Sequence, residues 1–226
     1  MMGTTNLSAA QRTLRRFWAD ENGGSLVEFA LVITLFLFLL LAIIDFGRIG
    51  HAWVSANKAA QLAARIATVR PPVCDGVPLT NIRFSPLTGP AFGALCRAGA
   101  EVCHVQVIDP CPGTAASATA QEIFTAIRPL LPAGTTIGQI QYTYTFDRSL
   151  GFLGGPYVPM VTVELGDPPL RRGDPTVPLT FPFISPLWPF VTALTGQSSD
   201  LGRVGLKLPV MSVSLPGEDL NLGTGG

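Results

Sequence analysis

The stretch Gly23-Gly24-Ser25-Leu26-Val27-Glu28-Phe29 places a carboxylate five positions after a glycine, at the mouth of a charge-free run. A carboxylate at that depth in lipid is costly and calls for a cationic partner. A cut between Gly23 and Gly24 would create an α-ammonium four residues before Glu28, one helical turn away, and the positive end of the helix would add to the attraction. In a bundle, Glu28 could instead neutralise the terminus of a neighbouring subunit and set its register. This is the chemistry of pairing and assembly, with no substrate bond being made or broken.

The second reactive group is the set of four cysteines, Cys74, Cys96, Cys103 and Cys111, all on the C-terminal side of the apolar run. An even number in a non-cytosolic setting points to two disulfides. A zinc site from Cys96, Cys103, His104 and Cys111 is the competing reading, but C-x₆-C-H-x₆-C lacks the close ligand pairs of structural zinc sites. Sequence neighbours close the shortest loops, so the expected pairing is Cys74–Cys96 with Cys103–Cys111. With two histidines, no nucleophile motif, no phosphate loop and no paired carboxylates, no catalytic residue, metal, cofactor or small-molecule substrate is expected. Lys plus Arg and Asp plus Glu both number 15, which leaves no net field to attract nucleic acid.

These groups need positioning elements. Phe29 to Ile44 (FALVITLFLFLLLAII) contains one polar side chain, Thr34, and no charge. With Leu26, Val27 and Phe46 the apolar length approaches the ~20 residues that a bilayer core requires. Leucine and phenylalanine occupy every face, unlike the single stripe of a core helix. Arg12, Arg15 and Arg16 precede the run as they would in a secretory signal, but Asp45-Phe46-Gly47-Arg48 follows it where small residues for cleavage would be needed. Asp45 and Arg48 mark the membrane surface, Trp18 and Trp53 act as interfacial anchors, and His51 lies near the headgroups. Beyond the run, Ala56, Ala60, Ala63 and Ala67 recur at helical spacing and offer a small-residue face that another helix can approach closely. Pro71-Pro72 ends this helix, a rod of about 68 Å.

The sequence then turns rich in proline and glycine, with short alternating runs between them, the texture of a small sheet. Strands are expected at Val102–Ile108, with His104 facing solvent, and at Gln139–Phe146, Val158–Leu165 and Leu208–Leu215. Ala115–Ile127 should be a helix burying Ile123, Phe124 and Ile127. Leu170–Pro189 reads as a loop or edge excursion, and Glu218–Gly226 as a mobile tail.

Gly23, Val27-Glu28-Phe29-Ala30-Leu31-Val32, Ile44-Asp45-Phe46-Gly47-Arg48, Ala59-Ala60 and Ala64-Arg65 together resemble the TadE-like pilus assembly proteins, pseudopilins of tight-adherence (Flp) pilus systems. The resemblance covers about residues 23–67. It implies a prepilin-type leader cut after Gly23 by an aspartic prepilin peptidase, with Glu28 as the fifth mature residue, the position glutamate holds in type IV pilins. It also implies membrane lipid, other pilins or pseudopilins and the inner-membrane assembly platform as partners. Thr34 stands where the family usually has proline, and Gln61, Leu62 and Ala63 replace its usual Arg-Glu-Gly.

The expected fold is α+β: a leader over 1–23, a transmembrane helix over 24–46, its exposed continuation over 47–70, a disulfide-stapled antiparallel-sheet domain over 71–217 and a tail over 218–226. The expected location is the bacterial cytoplasmic (inner) membrane, with the N-terminus in the cytoplasm and the domain outside, and incorporation in a surface pilus is the further step this reading allows. The rival reading is a membrane-tethered binding module that never enters a filament.

Overall fold

A computed structural model describes residues 24–84, 89–166, 179–181, 206–218 and 220. The fold is α+β, a long apolar N-terminal helix followed by an antiparallel sheet with two disulfides. The chain divides into two compact units. The first contains residues up to Phe46, whose described part begins at Gly24, where helix α1 (Gly24–Thr68) starts. Its most apolar 18-residue window is 0% buried, and the helix is long and apolar enough to cross a membrane. Exposed residues lie on all sides, among them Leu26, Phe29, Leu31, Leu35, Leu39 and Ile43. Water would penalise such a surface, whereas hydrocarbon does not. Thr34 does not interrupt the helix, because its hydroxyl donates to the Ala30 carbonyl at 2.6 Å and so spends its polarity inside the backbone ladder.

In the second unit the remainder of α1 carries six fully buried alanines, Ala56, Ala59, Ala60, Ala63, Ala64 and Ala67. They share one core with the chain's own sheet and with the short helix α2 (Ala118–Ile127). The main sheet is antiparallel throughout, in the order β1 (Cys111–Pro112), β2 (Ile140–Thr145), β3 (Met160–Leu165), β6 (Met211–Pro216). A separate two-stranded sheet joins β4 (Thr180–Phe181) to β5 (Leu206–Lys207). Register stacks the inward residues in rows: Tyr144 opposite Val161 opposite Leu215, Tyr142 opposite Val163 opposite Val213, and Ile140 opposite Leu165 opposite Met211. The alternate positions of β3 and β6 face outward with Thr162, Glu164, Ser212 and Ser214, and Thr162 and Ser214 hydroxyls meet at 2.8 Å across the strands.

Helix α2 begins at Ser117, whose hydroxyl accepts from the Ala120 amide, and buries Ile123 and Ile127. Arg70 binds the Glu122 carboxylate through two nitrogens at 3.0–3.1 Å, linking the chain just past α1 to α2. The pair is exposed and contributes little to stability.

Three sequence expectations are corrected here. Val102–Ile108 is not a strand, since its alternation reflects Cys103 tied inward by a disulfide while Val107 is 89% exposed. His104 is half-buried and stacks on Phe84 with ring centroids 5.8 Å apart, instead of facing solvent. Of the expected mobile tail, Glu218 and Leu220 are held, the Glu218 amide donating to the Thr68 carbonyl and Leu220 being buried, while residues 219 and 221–226 lie outside the described residues. Most of Leu170–Pro189 lies outside the described residues, apart from β4.

All three tyrosines, Tyr142, Tyr144 and Tyr157, are buried. Burial pushes the Tyr144 and Tyr157 phenols up to about 12 and Tyr142 higher still, from an ordinary value of 10.0. Phenols raised on folding stabilise the native state fully below pH 10, and that contribution is lost as pH rises toward 12. Ultraviolet titration of the detergent-solubilised protein should therefore show no tyrosinate near pH 10, then a cooperative rise coincident with loss of circular dichroism. Independent titration near pH 10 with the fold intact would contradict this burial.

Candidate assembly helix and disulfide domain

Gly24 opens α1 and Glu28 is exposed one turn later, while Gly23 lies outside the described residues. At this position Glu28 is close to the positive end of the helix dipole, where a carboxylate is favoured. Asp45 is buried, at 2% exposed. Trp53 is half exposed, and Trp18 lies outside the described residues.

The four cysteines form Cys74–Cys111 and Cys96–Cys103, with Cα separations of 5.6 and 5.2 Å, and no free thiol remains for zinc. The expected connectivity fails because sheet pairing sets the distances. Cys111 opens β1 opposite Tyr142, and the segment after α1 lies over the same strand, with the Val73 amide donating to the Tyr144 phenol at 3.0 Å. Cys74 is therefore brought to Cys111, which leaves Cys96 and Cys103 to close a short loop around a second core with Val102 and Leu153.

That second core depends on Asn81, which the sequence did not single out. Its buried amide donates to the Phe152 and Pro156 carbonyls, while its backbone bonds to Gly154 and Gly155. Gly151, at φ +81°, passes so close that a Cβ there would come within 2.7 Å of the Asn81 amide nitrogen. A polar residue of this kind inside a proline-rich segment has no periodicity to reveal it.

Beside α1, a groove of about 490 Å³ has Arg48, His51, Ser55 and Lys58 along one wall and Leu130 and Leu131 along the other. Arg48 holds its guanidinium 5.0 Å from the centre of the Phe181 ring. None of these residues forms a catalytic constellation.

Helix and domain define a class: a protein with a membrane-type apolar N-terminal helix and a disulfide-stapled α+β domain. Residues 23–65 match the family model described as TadE-like protein, which makes this segment TadE-like. No curated protein and no solved structure matches the chain. The matched segment begins at Gly23, includes Glu28 and five of the six buried alanines, and ends inside α1, ahead of the sheet domain.

Mass mapping of non-reduced proteolytic peptides should recover Cys74 joined to Cys111 and Cys96 joined to Cys103. The loops close over sequence separations of 37 and 7 residues. Chain entropy therefore gives the first bridge about 4 kcal/mol and the second about 2 kcal/mol. Cys74→Ala/Cys111→Ala should destabilise the protein more than Cys96→Ala/Cys103→Ala, and the reverse order would refute this account of the domain.

Proposed function

We propose that the chain is a minor pseudopilin of a tight-adherence (Flp) pilus, made as a precursor and cut after Gly23 by a prepilin peptidase. The observation that carries this reading is the TadE-like match, which opens at Gly23 and runs through Glu28 into α1. The processed protein is held in the cytoplasmic membrane by residues 24–46, with its disulfide domain on the oxidising side. There it works with other pilins or pseudopilins and with the assembly platform to build the pilus that serves adhesion.

Cleavage supplies the missing partner for Glu28. The Gly24 ammonium and the Glu28 carboxylate lie one turn apart, and in hydrocarbon each is costly without the other. Between subunits the same pairing joins the terminus of one helix to Glu28 of the next and fixes their axial register. A second reading, a tethered binding module, draws support from exposed Phe84, Phe92, Val107 and Phe152, which all lie outside the matched segment.

Intact-mass analysis of membrane-extracted protein should find a chain beginning at Gly24, with Gly23→Ala accumulating precursor. Glu28→Gln and Glu28→Ala should both be inserted and processed yet leave cells without surface pili, because both discard the charge. A full-length chain in cells with an active peptidase would end the processing claim, and normal piliation by either Glu28 variant would end the pairing claim.

A further inference from the structure

The groove beside α1 joins features that the pilus reading does not use. Arg48, His51, Ser55 and Lys58 recur at helical spacing, so they form one polar stripe along the groove. Among the described residues no carboxylate lines it, and the facing wall is apolar. Its volume of about 490 Å³ is within the range of sites that hold one small molecule.

Position along the sequence narrows the ligand. Arg48 is the first cation after the charge-free run, four residues past Ile44, and His51 follows three residues later. At the helical rise these lie about 6 Å and about 10 Å beyond the apolar segment, at the level of lipid headgroups. A guanidinium binds a phosphate through paired N–H groups, and Lys58 adds an ammonium that can reach back along its own stem. The stacking of Arg48 on Phe181 limits the freedom of its guanidinium before any ligand arrives. On the facing wall Pro129 and Pro132 have no N–H to offer, which makes it a poor surface for a peptide backbone and a suitable one for glycerol and the first methylenes of a lipid.

We infer that this groove binds the headgroup of an anionic phospholipid from the membrane in which α1 is anchored, with Arg48 and Lys58 on the phosphate and Leu130 and Leu131 against the apolar part. The inference rests on membrane anchoring and is independent of processing or pilus assembly.

The test uses the full chain in nanodiscs of phosphatidylcholine mixed with phosphatidylglycerol, with retained lipid read by native mass spectrometry. The wild type should be enriched in phosphatidylglycerol. Arg48→Gln and Lys58→Gln should each reduce that enrichment about fivefold, the change that one basic residue at an anionic surface produces. Arg48→Lys, which keeps the charge but loses the paired N–H groups, should retain only part of it, and Arg65→Gln, which removes an exposed cation outside the groove, should leave it unchanged. Ser55→Phe retains every charge but fills the groove, and should abolish retention with the disulfides intact.

An equal loss with Arg65→Gln, or full retention with Ser55→Phe, would show general surface attraction and overturn the site. Val54→p-benzoylphenylalanine, which replaces an exposed lining residue and leaves Ser55 in place, should give a lipid adduct when irradiated in membranes. A crosslink to protein instead would show that an acidic segment or a second copy occupies the groove, and would equally overturn the proposal.

Discussion

The core of the second unit depends on the alanine face of α1, which shares one buried cluster with the sheet and α2. Six alanines of α1 share that core with Tyr142, Tyr144, Val161 and Val163, which are among the largest fully buried side chains. Interiors are packed as tightly as organic crystals, and small residues on one surface must be matched by large ones on the other. Local hooks accompany that packing. Cys74–Cys111 ties the segment after the helix to the edge of the sheet, and the Glu218 amide reaches the last residue of α1 from the far end of the chain.

One helix thus meets two solvents, and its sequence changes to suit each. Phe29 to Ile44 are apolar on nearly every side, which suits hydrocarbon, whereas residues after Ser55 alternate buried alanine with exposed Gln61 and Arg65. The family match is confined to this helix and Gly23.

Period and composition made part of this architecture legible. The charge-free run, the alternation in β2, β3 and β6, and the Ile123/Ile127 face of α2 each follow from a local rule that tertiary structure did not override. Partners were less legible than elements. The spacing of Ala56, Ala60, Ala63 and Ala67 showed a face requiring close contact, but a helix and a sheet satisfy small residues equally well. In Val102–Ile108 a disulfide imitated the pattern of a strand, and cysteine order could not show that β1 brings Cys111 to Cys74. Asn81 acts through bonds to backbone carbonyls that one sequence does not display. In the candidate site, Glu28 was legible from its spacing to Gly23, whereas the groove needed the fold to bring residues 129–133 to α1.

The central claim, that the alanine face is covered by the chain's own sheet, is tested most directly by adding bulk to that face. Denaturant unfolding of the detergent-solubilised protein should show Ala60→Leu and Ala63→Leu each destabilising the domain by about 1–3 kcal/mol, the cost of overpacking a filled core. Gln61→Leu adds bulk on the exposed side of the same turn and should change stability by less than about 0.5 kcal/mol. Unchanged unfolding for both alanine variants, with loss of association between copies, would mean that the face packs against another molecule and would contradict the account.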